Sequence, residues 1–99
     1  MTWSETTRRQ RTLREVLAVI EQRRDGRLPW HEDWAEVFGD RQGLLHALRH
    51  RWRMQREAQL DPGLDDLALA QARRRLQEQN AGLIAVLARH QDRRTFDVA

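Results

Sequence analysis

Apolar residues recur at spacings of three and four throughout this chain, and no stretch alternates apolar and polar residues with the two-residue period of a strand. Spacings of three and four place side chains on one face of an α-helix. Glycine, proline and aspartate positions divide the pattern into five short segments. The sequence therefore predicts an all-α fold: a compact single domain of four to five short helices in a bundle-like or orthogonal arrangement.

The first two segments carry helix start and stop signals. One helix is predicted from about Thr6 to Arg24, and Gly26 follows it where a left-handed glycine commonly ends a helix. A second, short helix is predicted to start at Pro29 and to end at Gly39. Their apolar faces consist of Leu13, Val16, Leu17 and Ile20 in the first helix, and of Trp30, Trp34, Val37 and Phe38 in the second.

Two further helices are predicted in the C-terminal part. The Asp-Pro-Gly turn at 61–63 is expected to start a helix that runs to about Gln79. Asn80 is interpreted as the N-cap of a last helix that ends near His90. The predicted core combines the inner faces of all segments: Leu13, Leu17, Ile20, Trp34, Phe38, Leu45, Leu48, Trp52, Leu64, Leu83 and Leu87.

Length and composition set the class of protein. The 99 residues suffice for one domain, 1–99, in which 1–5 and 92–99 are expected to be frayed tails. The sequence contains no apolar run long enough to span a membrane. The first residues lack the basic and then apolar segments of a signal peptide. We therefore expect a cytoplasmic location. The absence of cysteine excludes disulfides, thiol nucleophiles and cysteine metal sites.

Positive charge is concentrated in one segment. All 18 basic residues are arginine, as is typical of GC-rich bacterial genomes, but the net charge is only +3. Residues 41–60 carry five arginines and one acid, whereas residues 31–40 carry four acids and no arginine. The term acidic block denotes these four acids, Glu32, Asp33, Glu36 and Asp40.

The third helix, predicted from an N-cap at Asp40 to about Leu60, has two contrasting faces. Its apolar side chains fall within an arc of about 100°. The opposite face is mostly cationic and contains Glu57 as its one acid. The apolar face consists of Leu44, Leu45, Leu48 and Trp52, and the cationic face is defined as His46, Arg49, His50, Arg53 and Arg56.

No pattern in the chain predicts an enzyme, a cofactor site or a metal site. His46 and His50 have the spacing of two zinc ligands, but Ala47 stands where a metalloprotease carries its catalytic glutamate, so a solvated pair is favoured. The five glycines are dispersed and form no phosphate-binding loop, and Ser4 is the one serine. We therefore expect a non-enzymatic protein without cofactor.

The run FGDRQGLLHAL at 38–48 resembles one passage of tetracycline-repressor-type regulators. In that family an aromatic residue, a capped turn and a Leu-Leu-x-Ala-like run open the helix after the recognition helix. Here thirteen residues, 26–38, separate the first and third helices, too few for a helix-turn-helix pair, so the resemblance implies no DNA-contact residue. The lysine-free composition is also similar to small all-α proteins of high-GC actinobacteria, which implies no function.

Two functions remain open from the sequence. The first is a small interaction or regulatory module that binds another protein or itself, with Trp30 or Trp3 as a partly exposed anchor. The cationic face then pairs with the acidic block, within one chain or in a dimer. The alternative is a nucleic-acid-binding module in which the cationic face contacts phosphates. The candidate partner-contacting residues are Arg49, Arg53, Arg56, His46, His50 and Trp30.

Overall fold

Five α-helices follow one another in a computed structural model, which describes the backbone of residues 2–98 and the side chains of residues 2–90. Helices account for 80% of the chain, and no strand occurs between residues 2 and 98. The predicted all-α class is therefore confirmed. The helices are α1 (Trp3–Arg23), α2 (Ala35–Phe38), α3 (Arg41–Gln59), α4 (Asp66–Gln79) and α5 (Ala81–Val98), and a 3-10 turn (Glu32–Trp34) leads into α2.

One hydrophobic core joins α1, α2, α3 and α5. Most of the predicted core residues are buried there or lie half-buried against it, which confirms the helical phases read from the sequence. Leu64 is the exception, since it is 38% exposed. The buried cluster consists of Val16, Ile20, Phe38, Leu44, Leu45, Ala47, Leu48, Leu83, Val86 and Leu87, with Leu13, Leu17, Leu28, Trp30, Trp34, Val37 and Trp52 packed on it.

The end of α1 and the start of α5 approach each other closely. A Cβ atom on Gly82 would come within 2.5 Å of the Ile20 carbonyl oxygen, so only glycine fits there. At the same place the Glu21 carboxylate accepts hydrogen bonds from the backbone N–H groups of Gly82 (3.0 Å) and Leu83 (2.8 Å). A side chain of α1 thus satisfies two of the unpaired N–H groups that open α5.

Asn80 lies at the predicted N-cap position of α5, where its carbonyl accepts from the Ile84 N–H at 2.8 Å. Its side chain does not cap that helix, because the side-chain amide donates back to the Leu76 carbonyl of α4 at 3.0 Å. The capping role passes to the carboxylate of Glu21, 61 residues before Gly82, which accepts from the N–H groups of Gly82 and Leu83.

The fourth helix starts later than predicted. Asp61 closes a local turn, in which its side chain accepts from the Gly63 N–H (2.8 Å) and its carbonyl from the Leu64 N–H (3.1 Å). Asp65 is the actual N-cap and accepts from the Ala68 N–H at 2.7 Å. Because Leu64 precedes the helix, its side chain does not continue the buried row of Ala72 and Leu76 in α4. Its predicted burial is wrong.

The second helix also begins after its predicted start at Pro29. His31 caps the 3-10 turn, its Nδ1 accepting from the Asp33 N–H at 3.1 Å, so Trp30 precedes the helical segment. Farther on, the predicted N-cap Asp40 is confirmed. A Cβ atom on Gly43 would overlap the Phe38 carbonyl oxygen, and this contact places the acidic block directly before the first turn of α3.

The ends of the chain are helical in their described backbone. Helix α1 begins at Trp3, where Thr2 and Glu5 form a reciprocal capping box. Helix α5 continues to Val98, past the predicted end near His90, because no glycine or proline follows Gly82. Fraying of 1–5 and 92–99 stays a prediction.

Leu48 tests the core. It is 0% exposed at the centre of the cluster, so Leu48→Ala is expected to lower the free energy of unfolding by roughly 2–5 kcal/mol. Leu67, which is 70% exposed, is the matched control, and Leu67→Ala is expected to change it by less than about 0.5 kcal/mol. Chemical denaturation measures both, and equal losses would contradict the described core.

Glu21 tests the contact between α1 and α5. Glu21→Gln replaces one of two accepting oxygens by an amide donor, so we expect a loss of about 1–2 kcal/mol in the free energy of unfolding. Glu15, exposed on the same helix, provides the control Glu15→Gln. If both variants unfold at the same denaturant concentration as the unmodified protein, the carboxylate does not stabilise the helix start.

Candidate interaction surface

The two halves of α3 differ in what they bury. Its four buried side chains all lie between residues 44 and 48. From Arg49 to Gln59 no side chain is buried, and Arg49, Trp52 and Gln55 are half-buried. This second half, about 16 Å long, is therefore solvated over most of its circumference.

The cationic face lies on this solvated side, as its helical phase predicts. His46, His50, Arg53 and Arg56 are exposed, and Arg49 is half-buried. The five side chains fall within an arc of about 120° and extend about 15 Å along the axis. The Arg56 guanidinium lies 6.0 Å from the centre of the Trp52 ring, so this cation also covers part of an indole.

The acidic block makes its contacts away from the cationic face. Glu36 pairs with Arg8 of α1 at 2.7 Å, and Asp33 lies 3.5 Å from His31. Asp40 caps α3. Among the side chains of residues 2–90, no carboxylate forms an ion pair with the cationic face, so the pairing within one chain that the sequence allowed does not occur there.

The predicted anchor Trp30 is half-buried and thus partly exposed. It packs on the core and meets Trp34 edge to face, with ring centres 6.4 Å apart. The His31 ring lies 6.0 Å from that of Trp34. The acidic block is thus bordered by partly covered indoles, and Trp3, 84% exposed at the start of α1, is the exposed tryptophan.

Three exposed apolar side chains near the connection from α3 to α4 were missed as partner-contacting candidates. Met54 is 51% exposed, Leu64 38% and Leu67 70%. For Leu67 a signal was present in the sequence, because its helical phase is nearly opposite to that of the buried Ala72 and Leu76. Met54 belongs to the same half of α3 as the arginines of the cationic face, whereas Leu64 precedes α4 and Leu67 belongs to it.

The histidines do not come together around a metal. His46 and His50 are both exposed on α3, whereas His31 caps the 3-10 turn and His90 Nδ1 lies 3.0 Å from the Val86 carbonyl oxygen. Within the described residues, no three side chains of the metal-ligating types are grouped to hold an ion. The fold instead brings the cationic face together with the indole of Trp52.

No family model, no curated protein and no solved structure matches this chain. In the described part, no helix has both the length and the apolar composition needed to cross a bilayer. We therefore infer the function from the contacts and charges of this chain itself.

Arg49 and Arg53 can be changed together to test whether the cationic face is separate from the core. Because neither side chain is buried, Arg49→Glu/Arg53→Glu is expected to keep the helical circular dichroism signal and to lose less than about 1 kcal/mol on thermal unfolding. A large fall in melting temperature would show that the stem of Arg49 supports the core instead.

Proposed function

We propose that this protein is a small, non-enzymatic interaction module whose cationic face on α3 binds an acidic surface of a protein partner. The observation that carries the proposal is the exposure of this face without an acidic partner among the described side chains. Arginine and tryptophan, which meet here at Arg56 and Trp52, are enriched where proteins bind one another. The cytoplasmic location expected from the sequence is part of the proposal.

The surroundings of the cationic face favour a protein over a nucleic acid. Glu57 lies within the same arc, so the cationic face is not the uninterrupted positive stripe that suits the evenly charged phosphates of a nucleic acid. Exposed Met54 offers apolar area that a phosphate backbone cannot use. The low net charge of +3 also provides little long-range attraction for nucleic acid.

A capture experiment with matched variants tests the proposal. The tagged protein, Arg49→Glu/Arg53→Glu and the control Arg11→Glu/Arg14→Glu are compared in extracts of the source cell by quantitative mass spectrometry. The control changes the net charge equally at exposed positions of α1. We expect a protein that the unmodified chain and the control retain, and that the α3 variant loses.

Identical sets of retained proteins for all three baits would contradict the proposal. The amount of retained protein is also measured at rising salt concentration. Salt screens the attraction between exposed charges, with a screening length of about 8 Å at physiological ionic strength. Retention through the cationic face should therefore decrease with salt.

Nucleic-acid binding is the second candidate, because Arg49, Arg53 and Arg56 place three cations, without an ion pair among the side chains of residues 2–90, along about 10 Å of one helix face. Three phosphate contacts would make the slope of log K against log salt roughly −2 to −3. Fluorescence anisotropy with duplex DNA and single-stranded RNA measures this slope. We expect weak binding that is equal for the two charge-changed variants; tight binding that only the α3 variant loses would promote the second candidate.

A further inference from the structure

The chain itself carries a surface that complements the cationic face. The acidic block presents carboxylates in the segment directly before α3, and their side chains are strongly exposed, 72% for Glu36 and 87% for Asp33. Glu32 is exposed beside them. The cationic face and the acidic block thus carry opposite charge on one molecule, yet no ion pair joins them among the described side chains.

We infer that the partner of the cationic face is the acidic block of a second copy of this chain, in a two-fold symmetric dimer; this inference rests on the proposed function. Within one copy the two surfaces lie toward opposite ends of α3. The acidic block precedes the first turn of α3, and the arginines occupy its second half.

An antiparallel arrangement of two copies of α3 brings unlike charges together at both ends. The acidic end of one copy then lies beside Arg49 and Arg53 of the other, and the two-fold axis repeats the contact. A parallel arrangement would oppose like charges and is disfavoured. Two equal electrostatic contacts therefore follow from one pairing of surfaces.

Half-buried indoles border both charged surfaces and supply the apolar part of the contact. Trp52 lies beneath Arg56 on the cationic side, and Trp30 and Trp34 border the acidic block. Exposed ion pairs alone contribute little in water, so these indole edges and Met54 are needed to hold the dimer.

A charge-swap experiment tests the dimer. Sedimentation equilibrium at low salt is measured for the unmodified chain, for Arg49→Glu/Arg53→Glu, for Glu32→Arg/Asp33→Arg, and for the two variants mixed in equal amounts. Each variant alone opposes like charges at both contacts, so its Kd for self-association is expected to rise at least tenfold. The mixture pairs unlike charges at both contacts, so it is expected to dimerise again.

Arg11→Glu/Arg14→Glu is the control, since it has the same change in net charge as the α3 variant and lies outside both surfaces. It is expected to dimerise as the unmodified chain does. Circular dichroism verifies the fold of every variant. If Glu32→Arg/Asp33→Arg loses helix, Glu32→Arg alone replaces it in the mixture.

An unmodified chain that stays monomeric at about 1 mM and low salt would overturn the inference. Failure of the mixture to dimerise would overturn it as well. Either result, combined with a different protein captured through the cationic face, would leave the proposed function standing and identify a foreign partner. Either result without any such protein would overturn both.

Discussion

The fold depends on the contact between the end of α1 and the start of α5. There the backbones come so close that only Gly82 fits against the Ile20 carbonyl, and the Glu21 carboxylate takes the two N–H groups that face it. A carboxylate in this position satisfies donors that would otherwise lack a partner and favourably meets the positive end of the helix. The contact joins the first and last helices, and the remaining core packs beside it.

The free face of α3 is a consequence of this arrangement. Leu48 is the last side chain of α3 that the core formed with α1 and α5 buries, and Trp52 packs half-buried against this core one turn later. Beyond Leu48 no described side chain of α3 is buried, so the amphipathic helix extends its arginines along a solvated segment. The acidic block is held at the other end by the close contact of Gly43 with Phe38 and by the pair between Glu36 and Arg8. Opposite charges are therefore held apart in the described part of one molecule.

Local signals predicted the helices well, because their causes lie within a few residues. The inner face of α1, the Asp40 cap and the breaks around Gly39 and 61–63 all follow from helical spacing and capping chemistry. The errors have nonlocal or competing causes. Asn80 has good N-cap chemistry, but Glu21 reaches the same N–H groups from the other end of the chain.

The start of α4 shows a competition between two equivalent signals. Asp61 and Asp65 are both capable caps, and the turn closed by Gly63 uses the first of them. The cationic face could be predicted from its spacing alone. The ion pair between Glu36 and Arg8 depends on how α1 packs against α2, which no local pattern shows.

The inferred contact between the cationic face and the acidic block joins two molecules. Nitrogen–proton correlation spectra of the unmodified chain over a dilution series test it residue by residue. We expect concentration-dependent shifts confined to residues 30–36 and 46–56, with a common dissociation constant for both segments. Shifts centred on the exposed Leu67 of α4, or spectra that do not change with concentration, would contradict it.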